Sequence, residues 1–191
     1  MTEGGSETPV RRALRLADSR RATVTALASV AAVATYVALS GRSLPAYVAS
    51  HFAGDGTVNG YMPRSAYVGF MLVVSISLPL VIFASARILP YVPASLLNLP
   101  HREYWLAPER RAQTYAFLQD HTARFATILS IFLGFVHWRV VAANALRPAM
   151  LEPIAFIGGL GLFLVALVVW IALLAAHFRR DDSKSKPNRS A

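Results

Sequence analysis

From Pro153 to Phe178 the chain runs 26 residues without an aspartate, glutamate, lysine or arginine. As a helix that block is roughly 39 Å long, enough to cross a hydrocarbon core about 30 Å thick. A soluble core has no use for a segment that is apolar on every side, so this block restricts the fold more than any other feature. The same criterion finds three further spans, at about 22–40, 66–87 and 124–145, the last interrupted from Phe125 onward only by His137 and Arg139. Charged residues are 15% of the 191 positions, against about a quarter in soluble domains. The expected fold is therefore an all-α membrane protein, a bundle of four transmembrane helices. Residues 1–21 and 179–191 are read as disordered basic tails, with an outer loop at 41–65 and a cytoplasmic loop at 88–123.

The basic residues set the expected direction. Five lie in the N-terminal tail, five between spans two and three, and five in the C-terminal tail; only Arg42, Arg64, Arg139 and Arg147 remain for the other side. Cytoplasmic segments carry the excess of lysine and arginine, so both tails are expected in the cytoplasm. An even number of spans is required by that arrangement, and four are found. The net charge of +9 follows from these flanks and from attraction to an anionic bilayer, and no nucleic-acid partner is expected. Span one has the basic flank of a signal peptide, and Ser19-Arg20-Arg21 resembles a twin-arginine start. Its apolar stretch exceeds the usual 7–15 residues, so it is read as an uncleaved anchor.

Small residues let helices approach within the bilayer. Ala28, Ala32 and Thr35 in span one, and Ala155, Gly158, Gly159 and Gly161 in span four, are expected to make intramolecular contacts. Pro79 is expected to kink span two. The outer loop contains turn chemistry in Gly54-Asp55-Gly56 and Asn59-Gly60, because glycine and asparagine tolerate positive φ. Two readings of it stand side by side: a tight connector packed on the rim, or a small site presenting His51, Asp55 and Arg64 to an external ligand. Near the outer end of span three, His51 and His137 are expected to pair, with Tyr61 and Asn144 in hydrogen-bonding range and Arg139 reaching the headgroups. A divalent ion held by His51, His137 and Asp55 is the alternative to plain pairing; no metal is expected.

In the cytoplasmic loop, Pro90, Pro93 and Pro100 bar a long helix. The run Asn98, Pro100, Tyr104, Trp105, then Pro108, Glu109, Arg110 and Arg111 reads as an interfacial elbow that opens a helix at Pro108. Tyr115, Leu118, Thr122 and Phe125 share one face of that helix, which is expected to lie on the membrane and run into span three. The alternative is a docking surface for a cytoplasmic or membrane protein partner.

Several chemistries are excluded. There is no cysteine, hence no disulfide or thiolate site. No His-Glu-x-x-His, Gly-x-Ser-x-Gly or phosphate-cradling loop occurs. All ten carboxylates fall outside the expected spans, whereas proton-coupled transporters usually keep one within the membrane. His121 and His177 raise haem ligation, but interfacial histidines need no cofactor, and none is expected.

The outer loop resembles the bacterial domain of unknown function found at the N-terminus of SdpI-type immunity proteins. That pattern is a proline, a His-Phe pair, a glycine, an Asp/Asn-Gly-aromatic turn and a basic residue before the second span; here these are Pro45, His51, Phe52, Gly56, Asn59, Gly60, Tyr61 and Arg64. Some relatives share the Asn-Leu-Pro…Tyr-Trp-Leu-Ala-Pro-Glu-Arg-Arg run of the cytoplasmic loop. The resemblance implies a multi-pass protein of the bacterial inner membrane and, in a few members, toxin immunity with signalling to a repressor. Four spans are expected here, without the additional C-terminal spans of the immunity protein. The leading expectation is a non-catalytic membrane protein that senses or binds at its outer loop. The runner-up is a small transporter or an accessory subunit of a transport complex, and a membrane-bound enzyme comes last.

Overall fold

The computed structural model describes residues 9–179. Its order is α1 (Pro9–Ser40), β1 (Tyr47–Phe52), β2 (Val58–Pro63), α2 (Arg64–Arg87), the single turn α3 (Arg102–Trp105), α4 (Arg111–Asn144) and α5 (Pro153–Phe178). Four helices are long and apolar enough to cross a membrane: Ala17–Ser43, Arg64–Arg87, Arg111–Asn144 and Pro153–Phe178. The chain is a multi-pass membrane protein.

Two boundaries differ from expectation. Residues 9–21, read as disordered, continue α1 back to Pro9. Beyond that proline, which suits a first helical turn, the stretch is mostly Arg, Ala and Leu, with no glycine or further proline to break it. Residues 1–8 and 180–191, the rest of the expected tails, lie outside the described residues. The helix expected to open at Pro108 begins instead at Arg111, with Pro108–Arg110 as a turn, and it is not a separate interfacial element. It forms the first turns of the 34-residue α4, with Thr114 and Tyr115 buried against protein instead of facing the membrane. At roughly 51 Å, α4 is longer than a bilayer core.

Helices α1, α2 and α4 form the core, and α1 runs parallel to α4. Ala26 packs with Ala123 and Ala126 at one end, Val33 faces Gly134 midway, and Val37 joins Val140, Tyr67 and Met71 at the other. The buried stripe of α1 is thus Ala26, Val30 and Val37, a 3.6-residue period. Ala28, Ala32 and Thr35 lie on its exposed side, contrary to expectation. Alanine there costs nothing against lipid, and the valines supply more packing area. Pro79 lies inside an uninterrupted α2, fully buried like Ser75 one turn earlier.

Helix α5 leans on α4 through rings, with Phe132 on Phe163 at 4.2 Å and Phe125 against Trp170 at 4.7 Å. Of the small residues expected to pack, Gly159 does so: any Cβ there would collide with the Phe135 ring, whereas Gly158 and Gly161 face open space.

The loop expected on the outer side is where the all-α expectation fails. Residues 47–63 form an antiparallel β-hairpin pairing Tyr47 with Pro63, Ala49 with Tyr61 and Phe52 with Val58, with register irregularities on either side of His51. The strands hold β-branched and aromatic residues flanking Gly54-Asp55-Gly56, which is hairpin composition. At the turn the Asp55 carboxylate accepts from both the Thr57 hydroxyl (2.6 Å) and the Thr57 amide (2.9 Å). The hydroxyl, then the amide, hold the Asp55 carboxyl below its ordinary range.

Gly56 has φ +87°, and a Cβ on it would strike the Leu151 carbonyl oxygen. That contact exists because Leu151 N–H donates to Gly56 C=O at 3.0 Å, and Thr57 bridges to Met150. Gly56→Ala is therefore expected to cost about 2 kcal/mol, from positive φ and the lost bridge together. Chemical unfolding in detergent measures it, and a loss below about 0.5 kcal/mol would show that the tip relaxes freely.

Candidate functional site at the hairpin end of the bundle

The hairpin is held to the helices at three places. The buried Asn144, at the end of α4, accepts from Ala49 N–H through Oδ1 and donates through Nδ2 to Ala49 C=O, both at 2.9 Å. A neighbouring strand would offer the same donor and acceptor, so one side-chain amide stands in for a third strand. Its Nδ2 also donates to Val140 C=O at 2.9 Å. Arg64 donates through Nη1 to Leu44 C=O at 3.0 Å and Arg42 C=O at 3.4 Å, tying α2 to the turn that ends α1. The Gly56–Leu151 contact is the third. Phe52 and Met62 pack onto the Val37–Tyr67–Val140 cluster.

Beneath the hairpin lies a polar network inside the bundle. His137 is fully buried, with Nε2 2.8 Å from Ser40 Oγ and Nδ1 3.0 Å from the Tyr67 hydroxyl. Ser40 Oγ donates to Tyr36 C=O at 2.6 Å. One proton arrangement satisfies every group when the imidazole is neutral: Tyr67 O–H donates to Nδ1, Nε2–H donates to Ser40 Oγ, and Ser40 O–H donates to Tyr36 C=O. The Tyr36 ring meets His137 edge-on at 5.4 Å, and the Tyr67 ring stacks on it at 5.7 Å.

This geometry corrects the expected cluster of His51, His137, Arg139 and Asn144. His137 does require a partner, but its partners are Ser40 and Tyr67. His51 is exposed on β1, with Nδ1 3.1 Å from Ser50 Oγ, because its position beside the register irregularity turns it away from the bundle. Tyr61 is also exposed and bonds to neither histidine. Asn144 binds strand backbone. Arg139 does not reach outward: it is 7% exposed and pairs through Nη2 with Glu152 Oε2 at 3.1 Å, joining α4 to the start of α5. No group of three His, Cys, Asp or Glu among the described residues is placed to hold a metal ion.

In this arrangement the Ser40 proton goes to Tyr36 C=O, whereas a nucleophilic serine gives its proton to the histidine. What the site offers is a rigid exposed rim, with Tyr47, His51, Asn59 and Tyr61 all exposed, attached to a packed helix core. Of the resemblance residues, Gly56, Arg64 and Phe52 hold the hairpin, Pro45 lies in the turn that leads into β1, and Gly60 sits against the His51 ring. Sequence reasoning missed Tyr36, Ser40 and Tyr67. Their signal was polar atoms inside apolar spans at the depth of His137, which a one-dimensional reading does not convert into contacts.

At the opposite end, the expected loop motif divides in two. Trp105 stacks on His177 at 5.3 Å and meets Phe178 edge-on, while its carbonyl accepts from Thr114 Oγ1 at 2.8 Å. Arg110 lies over the Tyr104 ring at 4.0 Å. Asn98, Pro100, Pro108, Glu109 and Arg111 are exposed. Phe117 stacks between His177 (3.5 Å) and His121 (5.2 Å). Trp170 and His121 exchange hydrogen bonds with each other's carbonyls at 2.9 and 3.0 Å. With a phenyl ring between them and His121 Nε2 spent on a carbonyl, the two histidines do not fit a haem iron.

No protein-family model, curated protein or solved structure matches the chain.

Proposed function

We propose that this is a non-catalytic protein of the bacterial inner membrane, of the SdpI-like class, that binds or senses an external molecule at its hairpin. In this reading the hairpin faces outward, both tails are cytoplasmic, and toxin immunity or signalling is the biological use. The carrying observation is a hairpin clamped by Asn144, Arg64 and the Gly56–Leu151 contact that leaves Tyr47 and Tyr61 68% and 64% exposed. Rigid tyrosines present contact area at small entropic cost. The positive-inside rule supports the direction.

Reporter fusions after residues 55 and 149 are expected to read outside, and after 105 and 185 inside; an outside signal at 105 overturns the orientation. For binding, a photo-crosslinking residue at Tyr61 or Tyr47 in living cells is expected to trap an external species. Ile131, exposed on α4, is the lipid-facing control. Equal adducts at all three positions, or none at the hairpin, would defeat the proposal. A stoichiometric membrane partner trapped from α5 would favour an accessory subunit instead.

A further inference from the structure

We propose that a groove between α1 and α4, at the end of the bundle opposite the hairpin, binds an anionic phospholipid whose phosphate sits between Arg21 and Arg124. The groove has a volume of about 440 Å³, with Arg21 and Asp18 on one wall, Arg124 on the other, and Ala22, Thr25 and Ile128 further along it. The pairing of Ala26 with Ala123 and Ala126 sets the two arginines roughly one helical turn apart in depth on the same groove, where charged helix ends give way to apolar spans.

Both guanidiniums are available. Arg124 is exposed and makes no hydrogen bond or ion pair among the described residues. The contact of Arg21 with Asp18 is long, 3.9 Å, between side chains 82% and 63% exposed, and such pairs contribute little. Two guanidiniums and one carboxylate leave the site with a single positive charge, which a lipid of one negative charge balances. Guanidinium suits phosphate because its planar donors match the oxyanion geometry. Asp18 beside them can accept from headgroup hydroxyls, and the net positive charge of the site favours a phosphatidylglycerol-type lipid over a choline lipid of zero net charge. The apolar wall below takes the start of an acyl chain. Because the ligand comes from the leaflet, the site needs no opening to water.

The test uses the full-length protein in a neutral detergent, with phosphatidylglycerol as probe, read as bound lipid by native mass spectrometry. One saturable phosphatidylglycerol is expected. Arg21→Gln and Arg124→Gln should each weaken it roughly fivefold, the worth of one basic side chain near an anionic surface. Arg111→Gln, a basic residue of α4 outside the groove, should leave it unchanged. The lipid-free thermal midpoints of the variants report whether they fold, which the exposure of both arginines favours. Equal binding of phosphatidylcholine overturns the charge argument. Equal binding of glycerol 3-phosphate would mean a site for soluble phosphate and not for lipid. An effect of Arg111→Gln as large as the others would reduce the groove to general basic attraction.

Discussion

Replacing His137 by alanine is expected to lower the stability of the detergent-solubilised protein by about 3 kcal/mol. Most of that loss is packing. A fully buried ring in contact with Tyr36 and Tyr67 leaves a cavity when removed, and large-to-small core changes cost about 2–5 kcal/mol. Hydrogen bonds inside membrane proteins average only about 0.6 kcal/mol each, since the unfolded chain in the membrane also finds partners. His137→Leu, which keeps much of the volume, should therefore cost about half as much as His137→Ala. Combining His137→Ala with Tyr67→Phe should be less than additive, because the two share the bond from the tyrosine hydroxyl to Nδ1. Combining it with His51→Ala should be additive within about 0.5 kcal/mol, as for sites without contact. Additivity with Tyr67→Phe, or coupling to His51, would contradict the network described.

Asn144→Ala should release the hairpin. Both the N–H and the C=O of Ala49 lose their partner in a residue that is fully buried, and orphaned buried groups cost about 1–3 kcal/mol each. The loss is local, so the sharpest readout is hydrogen exchange at the Ala49 amide. It should accelerate roughly a hundredfold, the equivalent of about 2.7 kcal/mol, while amides in the middle of α4 change far less. Asn144→Asp separates geometry from charge. It keeps an acceptor for Ala49 N–H but points a carboxylate at the carbonyls of Ala49 and Val140, so it should be no better than alanine. Full protection in either variant would mean that the hairpin is held by Arg64 and the Gly56–Leu151 contact alone. External binding at Tyr61 should then survive Asn144→Ala, whereas the proposed function expects it to weaken with the hairpin.

The spans were legible because a bilayer imposes a one-dimensional requirement. Uninterrupted apolar length appears directly in the residues, and the block from Pro153 to Phe178 permits no other use. The need of His137 for a polar partner was legible for a similar reason, since desolvation penalises an unpaired imidazole in any fold. Which partner it takes was not. Ser40 is 97 positions away from His137 and Tyr67 is 70, and only the parallel packing of α1 beside α4, with α2 against both, brings them to one depth. The same applies to the hairpin. Gly54, Asp55 and Gly56 announced the turn, whereas Asn59 and Gly60, expected in a turn, lie within β2. The strands depended on Asn144, a residue 95 positions from Ala49, supplying the edge that a two-stranded ribbon lacks. The faces of α1 and α5 were misread because small residues permit close approach without requiring it. Helical phase against actual neighbours buried Gly159 under Phe135 and left Gly158 and Gly161 open. Composition therefore determined that four helices of this chain are long and apolar enough to cross a membrane, but not that α1 reaches back to Pro9 or α4 to Arg111. Tertiary packing alone decided which of its few polar side chains meet, because those meetings depend on depth and rotation, which have no local signature in the residues.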